Sequence, residues 1–190
     1  TWGIDALSIS SHKIGGPKGV GALYLKDRTP FSAQLVGGGQ ESARRSGTQN
    51  IMGAVGFAAA CVEAGKNLKK EALRLIELRD YCYAELLKTG AAQPVVEVAP
   101  NDMTYAPHIV SVLVPGFESE TLVLRFDNEG ICVSGGSACS SHSLDPSHVL
   151  KALNVEKNKA LSALRVSLGS DTTKEDIDTF LAAFKRIIAK

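Results

Sequence analysis

No apolar run in this sequence is long enough to cross a membrane as a helix. The longest mostly apolar stretch, Ile51 to Val62, is interrupted by Gly53 and Gly56, whereas a spanning helix needs about 20 such residues. An excess of charge of one sign is also missing. Lys and Arg number 21 against 20 Asp and Glu, for a net charge of +1, with both signs spread along the chain. That leaves no electrostatic footprint for nucleic acid or an anionic membrane surface, so the implied partners are small molecules or proteins. Cysteine is scarce: Cys61, Cys82, Cys132 and Cys139 lack the paired short spacings of a zinc site and are too few for a secreted disulfide framework. A reducing, cytoplasmic compartment is the expectation. The chain opens on Thr1 without a positively charged, apolar signal stretch, which reads as a fragment or trimmed chain. Neither an internal repeat nor a low-complexity tract is evident.

What the sequence does hold is a core. With 190 residues, 44% of them hydrophobic, one domain or one and a half can bury real apolar surface. Ala6 to Ser10 reads as a short buried strand and Gly19 to Leu25, after the Gly15-Gly16-Pro17 breaker, as a second. His12 and Lys13 lie in the tight polar loop between them. Residues 30 to 50, with Gly37-Gly38-Gly39 and Arg44-Arg45-Ser46-Gly47, call for unusual backbone angles and offer free N–H groups; this is a loop with a task or a disordered one. From about Asn50 to Thr89, Leu68, Ala72, Leu75, Cys82 and Leu86 recur near a 3.6-residue period, predicting one or two long helices stopped by Gly90. A strand at His108 to Val114, a helix from about Glu118 to Asn128 ended by Gly130, and a strand at Ile131 to Ser134 follow. Asp145-Pro146 reads as the N-cap and first turn of a short helix through Leu153, and Ala163 to Leu168 as a further strand. Thr172 and Glu175 are spaced as a capping box for a last helix whose Ile177, Phe180, Leu181, Phe184, Ile187 and Ile188 form one apolar stripe. The predicted boundary falls within the long helical stretch, with residues 1–66 as an incomplete first segment and 67–190 as a linking helix and compact α/β segment.

Four stretches carry chemistry. Ser10-Ser11-His12-Lys13 ends a strand, where α/β folds bind ligands, and a lysine amine delivered neutral forms an imine with an aldehyde cofactor; the bland alternative is a solvated loop lysine. Gly15-Gly16-Pro17-Lys18-Gly19 lacks Walker spacing, and turn chemistry accounts for its glycines. Ser134-Gly135-Gly136-Ser137-Ala138-Cys139-Ser140-Ser141 sets a cysteine among small residues, giving a nucleophile access and backbone N–H groups to stabilise thiolate, against packing or an idle loop. Cys61, Cys82 and Cys132 fall in apolar helix or strand patterns and read as small buried hydrophobes. Arg165, inside the apolar strand Ala163-Leu164-Arg165-Val166, cannot shed its charge and needs an anionic partner, either a structural carboxylate or an amino-acid substrate's carboxylate. Arg44-Arg45-Ser46-Gly47-Thr48 suits a phosphate, or is a solvated basic loop.

Taken in order, Ser-Ser-His-Lys with Gly-Pro-Lys-Gly, the Gly-Gly-Gly-Gln-Glu to Arg-Arg-Ser-Gly-Thr loop, Gly-Ser-Ala-Cys-Ser, and Arg-Val-Ser-Leu-Gly closely resemble the cysteine desulfurases of iron-sulfur cluster assembly. These belong to the class V aminotransferase group of fold-type I pyridoxal-phosphate enzymes, and the likeness covers nearly the whole chain. The resemblance implies an α/β fold: the end of the large cofactor domain, a long linking helix and a small domain with a short, mainly antiparallel sheet. It implies pyridoxal 5'-phosphate as cofactor, with Lys13 as Schiff-base lysine, Ser10 and His12 on its phosphate, and Thr48 on the phosphate of the neighbouring subunit's cofactor, hence a homodimer. Cys139 would take sulfur from L-cysteine as a persulfide, releasing alanine and passing the sulfur to an acceptor or scaffold protein, while Arg165 holds the substrate carboxylate. Gly15, Ser42-Ala43 and Gly135 depart from the family's usual residues. The family's groups that stack on the pyridine ring and pair with its nitrogen lie upstream of the lysine and outside these residues, which implies that this polypeptide alone is inactive or binds cofactor weakly. A selenocysteine lyase or other class V aminotransferase is the rival among enzymes, and a non-catalytic module that docks sulfur acceptors is the rival of another class.

Overall fold

The computed structural model describes residues 3–136 and 147–189. The chain divides into two compact units, residues 1–68 and 69–190.

In the first unit β1 (Ala6–Ser10) and β2 (Gly21–Leu25) pair antiparallel, from Ala6 opposite Leu25 to Ser10 opposite Gly21. A short 3-10 turn, Ser11–Ile14, follows β1 and is closed by Gly15 in the left-handed region at φ 82°, a conformation glycine adopts without penalty. β2 starts later than the predicted Gly19 because Gly19 itself is left-handed, at φ 79°. The expectation that β1 is buried fails: all five of its residues are exposed. Two strands bury little apolar surface on their own. After β2 the chain folds back on itself without regular structure: Ser46 N–H donates to Leu35 O at 3.0 Å and Gly47 N–H to Gln40 Oε1 at 3.2 Å.

A single helix, α1 (Ile51–Lys88), occupies the predicted helical stretch, and the division between the units falls within it. Asn50 caps its start, Oδ1 accepting from Gly53 N–H at 2.9 Å, and Gly90 ends it at φ 69°, as a left-handed C-terminal glycine does.

The second unit holds the core. β3 (Gln93–Pro94), β4 (Ile109–Leu113) and β5 (Ala163–Ser167) form an antiparallel sheet in the order β3-β4-β5. Val110 and Val112 of β4 and Leu164 and Val166 of β5 alternate onto one face, as the two-residue period of a strand requires. There they meet Leu75, Cys82 and Leu86 of α1, α2 (Ser119–Asn128), and, beyond the short helices α3 (His148–Ala152) and α4 (Lys157–Ala160), α5 (Lys174–Ile188). Phe126 of α2 stacks on Phe180 of α5 with ring centroids 5.1 Å apart. Each such fully buried side chain contributes about 1.5–3 kcal/mol.

Three local expectations are corrected. Ile131 to Ser134 is no strand: the segment makes one isolated bridge, Ser134 to Arg165, and then turns, Ser134 Oγ donating to Gly136 O at 2.7 Å and accepting from Gly136 N–H at 3.2 Å. A serine hydroxyl that satisfies its own neighbours' backbone competes with further pairing. The box on α5 sits one residue later than predicted, on Thr173 and Asp176, because the Thr172 hydroxyl is occupied as acceptor for Gly169 N–H at 2.8 Å. The N-cap of α3 is Ser147, whose hydroxyl accepts from Val149 N–H; the predicted cap, Asp145, lies outside the described residues.

Candidate active site

Lys13 stands in the turn that ends β1, exposed, beside exposed His12 and Ser10. The turn is held from beneath rather than by these side chains. Ser11 is fully buried, its N–H donates to Val20 O at 3.1 Å, and its carbonyl accepts from Gly16 N–H at 3.0 Å. Among the described residues no hydrogen bond or ion pair engages the side chains of Ser10, His12, Lys13 or Thr48. Thr48 lies at the end of the glycine-rich loop, against Gly37, Gly38 and Ser46 in an open concavity. An uncommitted amine with hydroxyls and an imidazole beside it is the donor set that an aldehyde bearing a phosphate requires, so these residues fit pyridoxal phosphate.

Arg165 is fixed far more tightly. Its backbone N–H donates to Ser134 O at 2.6 Å, and its carbonyl accepts from Ser134 N–H at 3.1 Å. On its other side it faces Ser111 of β4 in the antiparallel register. Because its backbone groups are spent on Ser134, the Arg165–Ser111 pair is the non-hydrogen-bonded kind, in which side chains approach closely. The predicted anionic partner is not found among the described residues: no carboxylate pairs with Arg165, and its buried Nε has no hydrogen-bond partner. A half-buried guanidinium whose buried Nε is left this way is poised for an anionic ligand.

The guanidinium borders a cavity of about 320 Å³ with Arg79, Tyr83, Ser111 and a mostly apolar remainder, Val95, Ile109 and Leu164 among it. Gly135, Gly136 and Ser147 also line it. No motif marks Arg79 or Tyr83 in the sequence, though a signal is there: the apolar stripe Leu75, Cys82, Leu86 of α1 skips the position that Arg79 fills, one turn from Leu75.

Cys139 lies outside the described residues; the residues flanking the undescribed stretch, Gly136 and Ser147, both border the Arg165 cavity. Of the other cysteines only Cys82 is buried as predicted, with its thiol pushed up to about 12 by burial. Cys61 and Cys132 are exposed, Cys61 on the open face of α1 and Cys132 in the segment that fails to become a strand. Among the described residues no group of three or more His, Cys, Asp or Glu side chains could hold a metal ion.

Residues 1–180 match the family described as aminotransferase class-V. The chain belongs to that family. Its curated relatives include the cysteine desulfurase IscS of Dictyoglomus turgidum, 43% identical over 99% of this chain and 47% of the relative. That of Clostridium botulinum is 43% identical over 97% of this chain and 46% of the relative. Among solved structures, a NifS-like protein superposes with a TM-score of 0.84 at 33% identity, covering 98% of this chain and 47% of the other. The NifS-like protein of Rickettsia africae gives 0.84 at 29% identity, over 99% and 48%. The chain thus spans about half the length of the curated relatives it matches. The α/β fold with short antiparallel sheets is that of class-V, fold-type I enzymes, as the resemblance implies.

Proposed function

We propose that the chain is the C-terminal half of a pyridoxal-phosphate-dependent cysteine desulfurase that converts L-cysteine to L-alanine and an enzyme persulfide on Cys139. The observation that carries this reading is the pair of uncommitted cations, an exposed amine at Lys13 and a partnerless guanidinium nitrogen at Arg165, in a chain 43% identical to proteins named cysteine desulfurase. Pyridoxal phosphate, when bound, supplies the aldehyde and the electron sink. Lys13 Nζ binds that aldehyde and carries protons to and from the reacting carbon, and Ser10 and His12 hold the phosphate. Thr48 serves the phosphate of the partner subunit in a homodimer. Arg165 orients the substrate carboxylate by bidentate hydrogen bonding. The Cys139 thiolate attacks the sulfur of the substrate, the S–S bond forming as the substrate's C–S bond breaks and its carbon takes a proton to leave as alanine. The outer sulfur is then handed to an acceptor or scaffold protein for iron-sulfur cluster assembly in the cytoplasm.

Residues 1–66 are the end of the large cofactor domain and 67–190 the linking helix and small domain in this reading. The exposed Leu7, Ile9, Leu23, Tyr24 and Phe31 of the first unit support it, since so much uncovered apolar surface is more than a finished sheet leaves open. The 190-residue chain alone, mixed with pyridoxal phosphate and cysteine, is expected to give neither a visible imine band nor alanine. A protein of the relatives' full length carrying these residues is expected to give both. In that protein, Lys13→Ala removes the band, whereas Cys139→Ser keeps the band and stops sulfide release. Turnover by the isolated chain would overturn the half-enzyme reading, and sulfide release by the Cys139→Ser protein would overturn the persulfide.

A further inference from the structure

Among the described residues Arg79 is the most deeply buried charge of the second unit, with a fully inaccessible side chain. It extends from α1 into the wall of the Arg165 cavity. Its Nε donates to Asp80 Oδ1 at 3.0 Å, and Nη1 lies 3.5 Å from the Tyr105 carbonyl. Asp80 in turn accepts the Asn101 N–H on Oδ2 at 2.7 Å, so the pair also pins the loop that runs up to Tyr105 and Ala106, two further lining residues.

The charge balance of this cavity is uneven. Among the described residues its lining includes Arg79 and Arg165 and no Asp or Glu. Asp80 is the single carboxylate paired with either of them among the described residues, and it sits behind the wall with its side chain 20% exposed. Nη2 of Arg79 is 2.9 Å from Asp80 Oδ1, an ion pair without a hydrogen bond, and Nε of Arg165 has no hydrogen-bond partner either. A buried cationic nitrogen is stable when paired. Arg79 has Asp80, whereas Arg165 has no carboxylate among the described residues, so the cavity favours an anion, to whose hold the charge of Arg79 adds.

We propose that Arg79 is a second anion-recognising residue of the Arg165 cavity, raising its affinity for a small carboxylate by charge while its bonds to Asp80 and Tyr105 hold the wall in place. This deepens, and rests on, the reading of Arg165 as the carboxylate-binding group. The probe is 3-mercaptopropionate, a thiol carboxylate without an amine, titrated into the 190-residue chain by calorimetry. Arg79→Met is expected to weaken binding by about threefold to tenfold, the scale of one charge acting through the cavity wall without touching the ligand. Arg79→Lys, which keeps the charge, is expected to restore most of the affinity. If Arg79→Met does not fold by circular dichroism, Asp80→Asn decides: removing the negative charge behind the wall is expected to tighten binding and steepen its salt dependence. A folded Arg79→Met protein with wild-type affinity, or an Asp80→Asn protein with unchanged or weaker affinity in that case, would overturn the proposal. The parent reading has its own control in Arg165→Lys. Wild-type affinity in that variant removes the carboxylate site altogether, whereas loss there with no effect at Arg79 removes only the role given to Arg79.

Discussion

Tyr83 and Ser111 exchange two hydrogen bonds, the phenol oxygen accepting from the Ser111 N–H at 2.9 Å and donating to its carbonyl at 3.3 Å. Ser111 is the residue opposite Arg165 in the sheet, so a side chain of α1 completes the edge of β4 at the place where the arginine is held. Val95 N–H also reaches the Ser111 carbonyl, at 3.1 Å. Tyr83→Phe therefore orphans chiefly the N–H, at a cost of about 1–2 kcal/mol in urea unfolding. An unchanged midpoint would mean that water takes the phenol's place.

Alkaline pH is expected to weaken the second unit. Burial pushes the Cys82 thiol up to about 12 from an ordinary 9. It also raises Tyr83, with the Ser111 backbone contact pulling partly the other way. Both groups are neutral in the fold and ionise more readily once unfolded. The stability they contribute is thus fully present below the unfolded thiol's value and lost as pH rises from about 9 towards 12. Iodoacetamide mapping checks the same burial: Cys61 and Cys132 should label in the native protein, and Cys82 only above the unfolding midpoint. Early labelling of Cys82 would contradict the packing.

Gly16 leaves no room for a side chain beneath Lys13. A Cβ there would stand 2.2 Å from Ser11 Oγ and 3.2 Å from the Ala60 Cβ. Gly16→Ala is expected to cost about 1–3 kcal/mol by overpacking. Ser11 Oγ is buried without a hydrogen-bond partner, so Ser11→Ala should be near neutral and should recover part of the loss in the double variant. Strict additivity of the two changes in a denaturation cycle would show that the clash is not what Gly16 avoids.

Glu41, Ser42 and Ala43 take successive φ values of 53°, 57° and 60°, a left-handed turn closed by Ala43 N–H to Gly39 O at 3.0 Å. Each such residue costs roughly 1–2 kcal/mol, and glycine escapes that cost at the expense of a floppier unfolded chain. Ala43→Gly is expected to be stabilising by up to about 1 kcal/mol, visible as slower hydrogen exchange of the residue-43 amide. Faster exchange would place the strain elsewhere in the loop.

The legible parts of this fold are those written in a short period. The α1 stripe from Leu75 to Leu86 and the α5 stripe ending at Ile188 repeat with the helix turn, and β4 and β5 alternate, so pattern and burial coincide there, whereas Leu68, predicted in the same α1 stripe, is exposed. What misleads is competition for a single group. Thr172 and Glu175 carry a valid cap signature, but the Thr172 hydroxyl is taken by Gly169. Ile131 to Ser134 looks like a strand, but its pairing ends where the Ser134 hydroxyl bonds Gly136. At the site, Lys13 and Arg165 stand out because each is a cation in company that does not explain it. Arg79 is hidden because it occupies a gap in an apolar stripe.

By itself the sequence determined the order of the longer elements and the chemical character of the reactive stretches, because these follow from periodicity and residue type along the chain. Its resemblance to a known family gave the class of the fold; the short β3 and α4 left no such mark. Only the tertiary structure decided that Arg165 has no carboxylate partner among the described residues and shares its cavity with Arg79, and that β1 is open to solvent. Pairing and burial depend on which distant groups meet, and no local pattern encodes a neighbour's absence.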